Sequence, residues 1–148
     1  MPAHHWSGLC LLDANRSLWG GWSIIVKNLQ TQKSFGIYFA GDTAYKESLF
    51  KKIKNHFISK EVGLDVALLP IGPNEPRDLV QDSHMSAQEA VDACVLLDAK
   101  KFIPMHFGTF RLGTDDFATP IKILKECSLN KKLGDRVALP KFGQRIAL

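Results

Sequence analysis

The chain has 148 residues, 45% of them hydrophobic and 23% charged, with a formal net charge of +4. That is enough for one domain with its own core, and it excludes a disordered, fibrous or disulfide-stapled chain. The lysines are spread over predicted helices and form no basic block, so solvated helix faces are expected and nucleic-acid binding is not.

Met1 is followed at once by a motif-like segment, Pro2-Ala3-His4-His5-Trp6, with no predicted element before it. Trp22 to Val26 and Phe35 to Ala40 read as strands, and the polar run Asn28 to Ser34 between them as a hairpin turn. Gly41 and Asp42 end the second strand. Residues 46 to 59 place Leu49, Phe50, Ile53 and Phe57 on one helix face with lysines opposite. His56 on that helix is read as solvent-facing, and Lys51, Lys52 and Lys54 as a solvated face rather than a lipid-binding one.

Asp65 to Ile71 is a buried strand, stopped by Gly72 and Pro73 and followed by a long loop. Ser86-Ala87-Gln88-Glu89 matches a capping box, and Ala90, Val91, Cys94 and Leu97 continue it at helical spacing. Lys101 to Met105 is a strand that ends at His106. Thr119-Pro120 opens another helix, with Pro at the first helical position. Arg136 to Leu139 and Gln144 to Leu148 read as two closing strands. Strands alternating with helices indicate an α/β class. Cys10, Cys94 and Cys127 are far apart with no CxxC pair, which reads as reduced thiols, the last two in the core. No apolar run approaches ~18 residues and no signal peptide is visible, so a cytoplasmic location is expected.

His5, Asp42 and His106 each fall at a strand end or just before a strand-rich segment, where side chains can converge on one edge of a sheet. Imidazole and carboxylate suit zinc and similar borderline metals, and the two oxygens of an Asp can bind different cations. The spacings of 37 and 64 residues are too long for a local metal motif. Taken by themselves, such residues are more often hydrogen-bonded or solvated loop residues.

The flanking residues change that reading. Pro2-Ala3-His4-His5-Trp6-Ser7 is followed by Asn15-Arg16-Ser17-Leu18-Trp19-Gly20-Gly21-Trp22, then by Phe39-Ala40-Gly41-Asp42-Thr43. Leu69-Pro70-Ile71-Gly72 with Glu75-Pro76-Arg77 comes next, then His84, then His106-Phe107-Gly108-Thr109-Phe110. In this order they resemble the metallo-β-lactamase-fold hydrolases, in the branch of the N-acyl-phosphatidylethanolamine-hydrolysing phospholipase D. The resemblance runs from about Pro2 to about Pro120 and weakens beyond. It implies a four-layered αββα sandwich of two similar halves, with two metal ions, usually zinc, held between loops at one edge. The N-terminal half of that fold supplies a His-x-His-x-Asp-His segment, and the C-terminal half a His, a bridging Asp and a final His. Carried onto this sequence, the latter three are His5, Asp42 and His106. No His-x-His-x-Asp-His occurs here, so the chain resembles the C-terminal half, one domain spanning residues 1 to 148 with a mixed sheet and helices on one face.

The resemblance also places His84 near the active site as a catalytic candidate, contacting substrate or supporting the loop. His4, where relatives often carry Gln, is read as a solvated neighbour. Glu75 and Arg77, flanking Pro76, are read as an ion pair that shapes the loop, and Trp6, Trp19 and Trp22 as packing residues. The implied reaction is attack of metal-bound hydroxide on a phosphodiester, possible substrates being phospholipids. Three retained ligands do not make a binuclear site, so the isolated chain is expected to be inactive. Two readings stay open: a hydrolase half that works with a complementing N-terminal half, or a catalytically inactive remnant or protein-interaction module. An uncovered sheet face implies a homodimer.

Overall fold

The computed structural model describes residues 1–5, 20–141 and 143–146. Cys10, Trp6 and Trp19 lie outside the described residues.

A hairpin opens the sheet. β1 (Trp22–Lys27) and β2 (Ser34–Phe39) pair antiparallel, with Trp22 opposite Phe39 and Lys27 opposite Ser34. Asn28 builds the turn: its Oδ1 accepts from the backbone of Gln30 and of Thr31, both at 2.9 Å, and its own N–H donates to Lys33 O at 2.8 Å. A short side-chain carbonyl that mimics a backbone acceptor is the reason Asn favours such turns. The chain then crosses through α1 (Glu47–Ser59) to β3 (Leu64–Pro70), and through α2 (Arg77–Val80) and α3 (Ala87–Leu97) to β4 (Lys101–Met105). Both β3 and β4 lie parallel to their predecessors, giving the order β1-β2-β3-β4. α4 (Thr119–Asn130) follows, its first turn held by Asp116 Oδ1, which accepts from Ala118 N at 2.9 Å and Thr119 N at 2.7 Å.

The β2–β3 ladder shifts register at Asp65: Gly36 pairs with Leu64 and Ile37 with Val66. A bulge strips a backbone donor of its ladder partner. Here the Asp65 carboxylate replaces it, accepting from Gly36 N at 2.8 Å and, through its other oxygen, from Lys100 Nζ at 2.7 Å.

One sheet face carries Tyr38, Ala67, Leu69 and Phe102, all fully buried. Phe50, Ile53 and Phe57 of α1 and Ala90, Val91, Cys94 and Leu97 of α3 share the core with them. α3 starts with the capping box read from sequence: Ser86 Oγ accepts from Glu89 N, and Glu89 Oε2 accepts from Ser86 N. Cys94 and Cys127 are buried free thiols. His56 is half-buried instead of solvent-facing, because Ser23 of β1 reaches it (Nε2 to Oγ, 3.2 Å) and ties α1 to the edge strand.

Among the described residues the other face has no helix layer. In register, Trp22, Phe39, Leu68 and Ile103 form one row across all the strands, and Ile24, Ile37, Val66 and Lys101 form the next. Trp22 is 68% exposed and Val26 53% exposed, so Trp22 does not pack as the sequence reading expected.

The last third departs further from expectation. Arg136 to Leu139 is no strand: residues Gly134–Arg136 form a 3₁₀ turn, and only Val137 bridges to Phe102, with Ala138 N donating to Phe102 O at 2.9 Å. Pro140 lacks the N–H that a continuing ladder needs. Of the second expected strand, residues 144–146 carry none, turning back through Gln144 N to Lys141 O at 2.9 Å, and Ala147 and Leu148 lie outside the described residues.

Tyr38 is the core's internal cost. Burial pushes its phenol well above the ordinary value, and its hydroxyl has no hydrogen-bond partner among the described residues. An unpaired buried hydroxyl costs about 1–3 kcal/mol. Tyr38→Phe is therefore expected to leave stability unchanged or raise it by about 1 kcal/mol, read as the urea midpoint. A clear loss of stability would show that the hydroxyl is satisfied.

Candidate metal centre

Parallel strands end at a common edge, and two of them, β2 and β4, lead here into a residue that can hold a cation. β2 runs on past Phe39, with Ala40 N donating to Leu68 O at 3.0 Å, and Gly41 turns the chain at φ +67 to present Asp42. β4 ends at Met105, and His106 follows at φ +60, a left-handed backbone that costs a residue with a Cβ of order 1 kcal/mol.

His5 is brought in by backbone ties. Met1 exchanges two hydrogen bonds with Gly21 (2.7 and 3.0 Å), as a strand would. The buried Thr43 hydroxyl accepts from His4 N at 2.8 Å and donates to Ala44 O at 3.1 Å, and Ala44 N donates to His4 O at 2.8 Å. His4 itself is exposed, as its reading as a solvated neighbour required.

Asp42 is the hub. His5 Nε2 lies 3.2 Å and His106 Nε2 3.6 Å from its Oδ2, and His84 Nδ1 lies 2.8 Å from its Oδ1. The His5 and His84 rings meet edge to face at 5.0 Å, and the His84 and His106 rings stack at 5.6 Å. His106 Nδ1 is 3.0 Å from Gly72 O. A carbonyl only accepts, so Nδ1 carries a proton, and Nε2 is the ring nitrogen that faces Asp42. All four residues read from sequence thus converge. Ligand atoms of His5, Asp42 and His84 fall within 4.8 Å of one another.

Burial pushes the Asp42 carboxyl up. The hydrogen bond from His84 and the positive charge of His84, His106 and His5 act the other way and prevail, leaving it below the ordinary 3.8.

The loops that carry His84 and His106 are fixed by contacts that sequence reading missed. Arg77 Nη2 donates to Glu89 Oε2 at 2.6 Å and to His84 O at 3.2 Å. Arg77 therefore pairs with Glu89 and not Glu75, which instead accepts the backbone N–H of Arg77 at 2.9 Å. The short α2, also unforeseen, turns the Arg77 side chain toward α3. Buried Asn74 bridges three segments: Asp115 Oδ2 accepts from its N at 2.6 Å and its Nδ2 at 3.1 Å, while its Oδ1 accepts from Ala87 N at 2.8 Å. Two short polar residues in loops were the only available signal.

Three imidazoles around one carboxylate are a donor set for zinc and similar divalent ions. The Gly72 carbonyl that fixes the His106 tautomer is the kind of outer partner a metal-ligating His requires. The residues present therefore fit a divalent metal, with His5, Asp42 and His106 as candidate ligands.

A β-lactamase superfamily domain matches residues 1–107 of the chain. The chain belongs to this superfamily. Among its curated relatives, N-acyl-phosphatidylethanolamine-hydrolyzing phospholipase D 1 of Caenorhabditis elegans is 36% identical over 118 residues, covering 79% of this chain and 30% of that one. The mitochondrial N-acyl-phosphatidylethanolamine-hydrolyzing phospholipase D of Saccharomyces cerevisiae is 35% identical over 144 residues, 97% of this chain and 29% of that one. The chain thus spans about 30% of the length of these relatives. A metallo hydrolase from the archaeon Ignicoccus hospitalis superposes with a TM-score of 0.50 at 26% identity, over 76% of this chain and 40% of that one. An isothiocyanate hydrolase from Delia radicum gut bacteria matches in fold at the same TM-score and 19% identity, over 76% of this chain and 39% of that one. The chain's mixed sheet with one helix layer is the αβ part of the metallo-β-lactamase αββα sandwich.

The depressed Asp42 value fixes a pH dependence in the metal-free protein. A carboxylate whose folded value is lowered contributes stability that is present above its unfolded value and lost as pH falls through the folded one. The stability advantage of wild type over Asp42→Asn in chelator is expected to be present above the ordinary carboxylate range and to shrink as pH falls through and below it. Urea unfolding at each pH measures it, and an advantage that stays constant would contradict the assigned charge network.

Proposed function

We propose that this chain carries one side of a binuclear zinc site in a phospholipase D-like phosphodiesterase. The observation that carries this is the convergence of His5, His84 and His106 on the two oxygens of Asp42. Supporting it, the N-acyl-phosphatidylethanolamine-hydrolyzing relatives match across most of the chain. A groove of about 620 Å³, lined by Met105, Phe107, Leu139 and Pro140 among others, opens beside His106 and suits a substrate with an apolar body.

His5, Asp42 and His106 would hold the metal, and a bound zinc pair supplies Lewis acidity that lowers the pKa of water and screens charge on phosphate oxygens. Asp42 turns Oδ2 toward both candidate ligands, His5 and His106, and Oδ1 toward His84. His84, held by Asp42 through Nδ1, keeps Nε2 for substrate contact, accepting or delivering a proton there. Arg77, bound to the His84 carbonyl, sets where that ring stands.

With no His-x-His-x-Asp-His in the sequence, each of two ions would have one His and a shared Asp42, short of the three protein ligands usual in catalytic zinc sites. The chain alone is expected to give no zinc-dependent turnover of a phosphodiester above the metal blank. Adding a half-domain that carries His-x-His-x-Asp-His restores turnover, and Asp42→Ala or His106→Ala abolishes it. Strong turnover by the chain alone that Asp42→Ala removes would overturn the need for a partner half. Zinc binding that His106→Ala leaves unchanged in calorimetry would place the metal elsewhere.

The open sheet face favours an assembled form, in which a second copy or a complementing half covers Trp22, Ile24 and Val26. Leaving several hundred Å² of apolar face in water costs on the order of 10 kcal/mol at ~25 cal/mol per Å². The expected form of the purified chain is a homodimer at micromolar concentration by light scattering, and Ile24→Lys shifts it toward monomer. A soluble wild-type monomer would contradict this assembly.

A further inference from the structure

We propose that a cleft at the opposite end of the sheet binds a single-tailed anionic amphiphile, an oxyanion head on an alkyl chain. The cleft has a volume of about 510 Å³ and lies where β3 and β4 begin. A strand's length, roughly 20 Å, separates it from Asp42.

Three separate elements each bring a cation to this cleft: Lys54 from α1, Lys100 from the approach to β4, and Arg136 from the 3₁₀ turn. Asp98 is the one acid among the lining residues. The lining is therefore net positive, which favours an anion and disfavours a cation. The donors differ in how far they are engaged. Lys100 Nζ already sits 2.7 Å from Asp65 Oδ1. The Arg136 guanidinium is clamped, with Nε and Nη2 donating to Ala99 O at 3.0 and 2.6 Å and Nη2 3.9 Å from Asp98. Its Nη1 and the Lys54 ammonium have no partner among the described residues. A guanidinium held in place and an unengaged ammonium line one cleft, so an oxyanion there would meet cationic donors without loss of Arg rotamer freedom.

Apolar surface supplies the second half of the argument. Phe57, Ile58 and Val62 line the same cleft, and Ile58 is 61% exposed. A fully hydrated inorganic anion gains nothing from that surface, whereas an alkyl chain does. Room for the chain exists at Gly63, where an added Cβ would meet no atom within 4 Å. Gly63 is also outside the left-handed region, so a larger residue there fills the cleft without backbone strain.

The test is a heteronuclear NMR titration of the full chain with decanoate and with decyl phosphate, each below its micelle threshold. Inorganic phosphate, decanol and decyltrimethylammonium are the controls. Saturable shifts at Lys54, Gly63 and Lys100 are expected with one or both anionic amphiphiles, and the tighter of the two identifies the head group. Gly63→Leu and Lys54→Glu are each expected to weaken binding at least tenfold while the spectrum stays dispersed. If Gly63→Leu does not fold, Lys54→Glu decides. Equal binding of decyltrimethylammonium, unchanged affinity in the folded variants, or shifts confined to the Trp22 and Ile24 face would overturn the proposal.

Discussion

The Asp42 carboxylate can face three imidazoles only because β2, β3 and β4 run parallel and end at one edge. Parallel pairing needs a crossover between strands, and the crossovers here are α1 and α3, which also supply the core. Core, sheet direction and site are therefore a single construction. A change that slipped β2 against β3 would move Asp42 relative to His106, and the register is pinned where Asp65 fills the bulge opposite Gly36.

The site's second tier consists of loop contacts rather than regular structure. Arg77 and Glu89 tie α2 to the first turn of α3, and Asn74 with Asp115 joins the loop after β3 to the loop after His106. His84 and His106 thus stand on loops whose buried polar groups are mostly matched to one another, Arg77 Nη1 being a buried donor with no partner among the described residues. Low dielectric strengthens such networks when every member is paired. It also makes each costly to leave half made.

The core elements were legible because their signals are local. Helical periodicity in residues 46–59 and the box at Ser86 and Glu89 lie within single turns, and both appear where expected. The site residues were legible through the short segments around His5, Asp42 and His106, which resemble a family, and not through their own spacing. What escaped was long-range or solitary. Asn74 meets Asp115 across 41 residues, and Arg77 meets Glu89 across 12 through a helix too short to leave a period. The tail around Val137 has the β-branched and apolar residues of a strand, but one bridge is all that forms before Pro140.

The apolar residues that β1 exposes have a consequence for how stability itself is defined. Any partner that binds the folded chain through Trp22, Ile24 and Val26, and not the unfolded one, enters the unfolding equilibrium by mass action. In the bound regime each tenfold dilution of that partner then removes about 1.4 kcal/mol. For such a chain a melting temperature belongs to a concentration as much as to a sequence.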